Sequence, residues 1–175
     1  RIARILAGDR TGTEAYLLLE QRLPRVVAAA AVGACLAASG AIFQTTSRNP
    51  LGSPDIVGFT RGATTGGLFA ILVFVSSSAL VTGAGAIVGG AATAAVVVLL
   101  TMRRGVGGDT LVLSGIALGQ MLAPLNDYLL AATDIESAEA AKTWQHGSLN
   151  GITWATVTPL LVTAILLLPV GMWLA

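Results

Sequence analysis

Charge is what this chain has least of. Only 11% of its 175 residues are charged, while 54% are hydrophobic and the mean hydropathy is +0.79. Soluble domains carry about 25% charged residues, and a chain of this size without them cannot build a polar shell. The composition therefore specifies an integral membrane protein. Cysteine is nearly absent: Cys35 stands alone, which excludes a disulfide within the chain and any metal site built on cysteines. The single histidine, His146, excludes a His-based metal cluster. No His, Asp, Glu or Cys cluster lies within the apolar runs, so an embedded enzyme is disfavoured, no catalytic residue is assigned and no cofactor is expected. The net charge of +1 and the lack of a basic cluster argue against nucleic acid as a partner. GAGAIVGG, residues 83–90, lacks the spacing of a nucleotide-binding loop, and LSGIAL around Ser114 lacks the nucleophile-elbow pattern.

What is present is a series of uncharged runs punctuated by charge. Residues 1–25 are mixed, and ARILAG and EAYLLLEQ suggest short amphipathic helices at a membrane interface. Pro24 fits the first turn of a helix, where its missing N–H has no partner in any case. A first span is expected over about 26–46, a run of roughly 33 Å at about 1.5 Å per residue and close to the ~30 Å bilayer core. A polar loop follows, with turn residues Asn49, Pro50 and Pro54. The uncharged stretch from Gly62 to Met102 is too long for one span and suits two, at about 62–77 and 84–102, turning at SSSALVTGAG. Arg103 and Arg104 end the second. A fourth span runs from about 110 to 131, and a short surface helix starts near Asp134, which caps it. The last span begins near residue 153. The fold class is all-α, a polytopic helical bundle with about five transmembrane helices. Basic residues are almost evenly divided between the two sides, so the positive-inside rule does not orient the bundle.

Small residues recur at four-residue spacing: Gly33, Ala37 and Ala41 with Gly40 beside them, then Gly85 and Gly89, then Gly115 and Gly119. Such stripes let helix backbones approach closely. Gln44, Gln120, Asn126 and Asp127 are the polar groups within or at the ends of spans, and either hydrogen-bond between helices or face a water-filled path. Arg22 and Arg25 flank Leu23 and Pro24 at the mouth of the first span. They are either snorkelling anchors for lipid headgroups or a docking point for an acidic partner.

The string RLPRVVAAAAVGACLAASGAIFQTTSRNPLGSPDIVGFTRGAT resembles the signature stretch of the FecCD-type permeases. The resemblance rests on Arg22 to Arg25, Ser39 to Ala41, Gln44, Arg48 to Leu51 and Pro54. LVLSGIALGQ and WQHGSLNGITW, with Trp144, Gly147, Ser148, Gly151 and Trp154, resemble two further family stretches. The family comprises membrane subunits of ABC importers for iron-siderophores, haem and vitamin B12. The resemblance implies a permease of about ten spans working with a second permease subunit as a dimer. Its further implied partners are cytoplasmic ATP-binding subunits, which hydrolyse the ATP, and an extracytoplasmic substrate-binding protein. The implied location is the cytoplasmic (inner) membrane of a bacterium or archaeon.

On the same basis Arg22 and Arg25 are the binding-protein docking pair, and 1–25 is an external segment before the helical spans of 26–175. The 48–61 loop, Arg103 and Arg104 then fall on the cytoplasmic side. The 110–131 span would line the translocation path, with Gly115, Gly119, Gln120 and Met121 as candidates. The chain begins with Arg1 and stops within an apolar run, and no stretch resembling the family's ATPase-coupling loop occurs in it. It is therefore expected to be one permease domain cut to roughly spans two to six. The competing reading is a small multi-span scaffold or assembly protein, which has no reason to hold the R-L-P-R and R-N-P-L motifs at this spacing.

Overall fold

The computed structural model describes residues 12–73, 78–102 and 108–174. ARILAG, residues 74–77 and Arg103 with Arg104 lie outside the described residues; of the turn expected at SSSALVTGAG, residues 79–85 are not a turn but the first two turns of a helix. Among the described residues all regular structure is helical. Helix α1 runs Thr13–Ser47, α2 Phe59–Leu72, α3 Ala79–Met102, α4 Gly108–Ala131, α5 Ile135–His146 and α6 Trp154–Leu174.

The first helix differs from its expected form. EAYLLLEQ is not a separate interfacial helix, and Pro24 is not in a first turn. Both lie inside α1, which is 35 residues long and therefore on the order of 50 Å, well beyond the bilayer core. An interior proline ordinarily breaks a helix, because its ring collides with the carbonyl four residues back. Here Leu17–Arg22 are wound as a π-helix, and the Leu23 N–H bonds to Leu18 O, five residues back. That wider turn gives the Pro24 ring room, so the helix passes through.

Among the described residues three helices are long and apolar enough to cross a membrane: α1, α3 and α6, the last over Trp154–Trp173. Of the other two expected spans, α2 has only 14 residues, about 21 Å. Helix α4 has the length, at 24 residues, but carries Asp109, Gln120, Asn126 and Asp127. Only 11% of an 18-residue apolar stretch of each is buried within the chain, which suits helices solvated by lipid or by other protein. The chain is a multi-pass membrane protein. Helix α5 starts where the sequence places it. The Asp134 carboxylate accepts the Ser137 N–H at 2.8 Å, and that bond holds its carboxyl below the ordinary range. The cap is therefore present above the ordinary carboxyl pKa and is lost only as pH falls through the depressed one.

The chain divides into two compact units, Arg1–Ser39 with Leu149–Ala175, and Gly40–Ser148. In the second, α2 packs on α3, α4 and α5. Its core holds Phe43, Val57, Leu68 and Val97, with Phe43 edge-to-face against Phe59 at 6.2 Å. The first unit contains the proline-bearing end of α1 and helix α6, with Ala15, Ala28 and Val157 buried.

Candidate functional site

The short α2 begins from a tightly folded entry. The Asn49 side chain accepts the Leu51 N–H at 2.9 Å, and the Gly52 N–H bonds to Asn49 O at 3.0 Å. The Thr60 hydroxyl donates to the Asp55 carboxylate. Gly58 stands at φ 78, a left-handed conformation that glycine adopts without strain. Its position is also crowded, since a Cβ there would come 2.8 Å from Gly119 Cα. Here α4 approaches the entry closely. A Cβ on Gly115 would stand 2.0 Å from Val57 Cγ1, and one on Gly119 would stand 3.1 Å from Gly58 Cα.

Polar groups close the same seam. Arg61 Nη1 donates to Gly119 O at 2.9 Å and to Gln120 Oε1 at 3.1 Å. About two turns further along α4, buried Asn126 donates from Nδ2 to Arg61 O at 3.3 Å. The Thr65 hydroxyl lies 2.7 Å from Asn126 Oδ1 and 2.9 Å from Arg61 O. Arg61 thus meets a carbonyl and an amide rather than a carboxylate, and its charge is spread over neutral acceptors. A cavity of about 270 Å³ opens beside it, lined in part by Asp55, Arg61, Ile116 and Gln120. Ligand pockets typically enclose about 300–1,000 Å³, so this cavity alone does not enclose a bulky chelate.

Of the four residues offered for the path, Gly115, Gly119 and Gln120 come together on the α2 entry, while Met121 is 71% exposed and apart from it. The glycine stripe on α1 has no such partner. A Cβ on Gly33 or Gly40 meets nothing within 4 Å, and Ala37 and Ala41 are exposed. Within the described residues that stripe closes no helix pair. Besides the α4 glycines, the α3 stripe also closes a seam on α2, Gly85 and Gly89 meeting Gly62 and Gly66. Gly62, Gly66 and the Arg61 clamp were not singled out from sequence, although Gly58, Gly62 and Gly66 hold the same four-residue spacing as the stripes that were.

The other expected site is the Arg22–Arg25 end of α1. Both arginines are exposed. They are not equivalent, because Arg25 Nε donates to Leu149 O at 3.1 Å. The neighbouring Trp154 indole Nε1 donates to Leu19 O at 2.9 Å. The segment between them turns through Gly151, at φ 71. Two motifs far apart in the sequence, R-L-P-R and S-L-N-G-I-T-W, thus meet in one structure.

Comparison with known proteins agrees with this architecture. The FecCD transport family matches residues 1–175. The ferric enterobactin transport system permease protein FepG of Escherichia coli is 42% identical over 166 residues, covering 93% of this chain and 49% of FepG. The Fe(3+)-citrate import system permease protein YfmE of Bacillus subtilis is 35% identical over 155 residues, 89% of this chain and 46% of YfmE. The chain spans about half the length of these curated relatives. Among solved structures, an inward-facing chain assigned to the metal-chelate type of ABC transporter aligns with a TM-score of 0.77 and 28% identity. That alignment covers 94% of this chain and 56% of the solved one.

Proposed function

This chain belongs to the FecCD transport family, and from that premise we propose that it forms part of the permease of an ABC importer for a ferric chelate. The cargo class is a ferric siderophore or ferric citrate. The observation that carries this reading is the 42% identity to FepG across 93% of the chain. Relatives named for Fe(3+)-citrate and achromobactin support the same class. The partners in this reading are a second permease subunit, ATP-binding subunits in the cytoplasm and an extracytoplasmic binding protein. The location is the cytoplasmic membrane, and ATP hydrolysis belongs to the partner subunits.

In this mechanism the permease contributes shape rather than chemistry. Packed helices rock between two arrangements, and each partner drives the change only by binding one arrangement better than the other. The α2–α4 seam, with Arg61 clamped on Gly119 and Gln120, serves as a rigid wall of the path. The test is uptake of radiolabelled ferric enterobactin and ferric citrate by cells lacking their own permeases, supplied with the full-length gene and its partner genes. Iron accumulation that depends on ATP and on one of these chelates is expected. Accumulation of neither, with the protein present in the membrane, overturns the cargo class.

Docking of the binding protein falls to the outer end of α1. Exposed ion pairs contribute only about 0–1 kcal/mol each, so the arginines act mainly on encounter rate and orientation. Because Arg25 is tied to Leu149, Arg22 is the cleaner probe. In the full-length permease Arg22→Glu is expected to slow binding-protein association by up to about tenfold at low salt, the difference shrinking as salt screens it. An unchanged low-salt rate removes Arg22 from the docking surface.

A further inference from the structure

The backbone of α1 leaves one hydrogen bond unmade, and its place can be deduced. In the π-helical register the Leu23 N–H bonds to Leu18 O. The next bond of that register would run from residue 24 to Leu19 O. Residue 24 is proline and has no N–H to give. A carbonyl left unpaired away from water is costly, and more so where water is scarce. Leu19 O is the acceptor that the Trp154 indole N–H reaches, at 2.9 Å. Pro24 is itself fully buried, so this is a packed corner and not a frayed end. Arg25, the residue after the proline, is bonded to Leu149 O at the other end of the same segment.

We propose that Trp154 is a positioning residue: its indole N–H takes the place of the donor that Pro24 lacks, and so fixes the π turn that carries Arg22. The consequence is directional. A π turn holds one residue more than an α turn, and one residue of helix is worth roughly 100° of rotation. Collapse of the turn would swing Arg22 and the whole outer end of α1 relative to the membrane-spanning part. Interfacial tryptophans commonly anchor helices in headgroups with the indole N–H turned to water or lipid. Here that N–H is committed to a backbone carbonyl. The link to docking rests on the function proposed above; the clamp itself does not.

The test uses the full-length permease in lipid nanodiscs and three variants: Trp154→Phe, which keeps a ring and loses only the donor, Pro24→Ala, which restores a backbone donor, and the two combined. Amide hydrogen exchange across residues 17–28 and the association rate of the binding protein are both read. Trp154→Phe is expected to speed exchange there by about fivefold or more and to slow association. With Pro24→Ala present, Trp154→Phe is expected to have little effect on either. Wild-type exchange in Trp154→Phe overturns the proposal. So does an equal effect of Trp154→Phe in both backgrounds, which marks a lipid anchor indifferent to the proline. If exchange follows the expected pattern while association stays constant in every variant, and in Arg22→Glu, the clamp stands and the docking reading falls.

Discussion

Gly66→Ala and Gly89→Ala are each expected to destabilise the permease strongly, although alanine is the better helix former. A Cβ on Gly66 would stand 2.1 Å from Gly85 O and 3.0 Å from Gly89 Cα. One on Gly89 would stand 2.3 Å from Gly62 O and 2.9 Å from Gly66 Cα. Every one of these neighbours is backbone, so no side chain can rotate aside and the two helices must separate. The propensity gain of alanine is about 1 kcal/mol. Against it, a gap of about 0.5–1 Å along a packed seam forfeits a quarter to a half of each dispersion contact. In a bilayer no hydrophobic term between the helices restores the contact, since lipid tails are equally apolar. The loss over the whole seam is on the order of 4 kcal/mol, which lowers Tm by roughly 10 °C or more in a domain of this size. Gly90→Ala supplies the control one residue away. Its Cβ would meet Ala63 Cβ at 3.5 Å, an ordinary contact, and its Tm is expected to hold or rise. Thermal unfolding of the purified full-length variants reads both. A Gly66→Ala protein as stable as wild type would mean that the helices stand further apart than described.

The same seam shows what sequence could and could not reveal. Spacing identified glycine stripes correctly as stripes, but Gly33–Ala41 and Gly85–Gly89 look alike in one dimension. Only the second meets a partner within the described residues, because a stripe carries no information about which helix lies opposite. Local signals fared better. The Asp134 cap was legible because donor and acceptor are three residues apart. The end of α3 at Met102 and the start of α6 at Trp154 were legible because charge or turn residues stand beside an apolar run, whereas α3 starts at Ala79, five residues before the expected 84, because the small and hydroxyl residues read as a turn also fit a helix. Pro24 was placed by its commonest role, the first turn. Its true setting depends on an indole whose bond to Leu19 joins residues 135 apart. The Arg61 clamp on Gln120 likewise joins residues 59 apart. The shortness of α2 was hidden because a run of uncharged residues shows where helices can lie in a membrane, not where each one stops.

Gly115→Ala is the second substitution of large expected effect, and it separates two meanings of a glycine on α4. A path-lining glycine that gains side chains should cut uptake while the protein stays as stable as before. Gly115 is instead expected to lose stability first. Its Cβ would meet Val57 Cγ1 at 2.0 Å, Val57 O at 2.6 Å and Val57 Cα at 2.9 Å. Val57 is fully buried, and Phe59, Leu111, Val112 and Leu118 pack against its cluster, so it has nowhere to move. Overpacking of this kind typically costs about 1–3 kcal/mol. Trimming the neighbour should not repair it: Val57→Ala removes Cγ1 but leaves the carbonyl and Cα in place. The double variant is therefore expected to stay destabilised and to add the cost of a cavity. Gly119→Ala should be milder, since its nearest neighbours stand at 3.1 Å and 3.5 Å and the second is the flexible Arg61 Cδ. Measuring Tm and chelate uptake together for Gly115→Ala, Gly119→Ala and the double variant distinguishes the two roles. A normal Tm with lost uptake at Gly115 would put that residue on the path, and the α2 entry would then have to move aside to let cargo by.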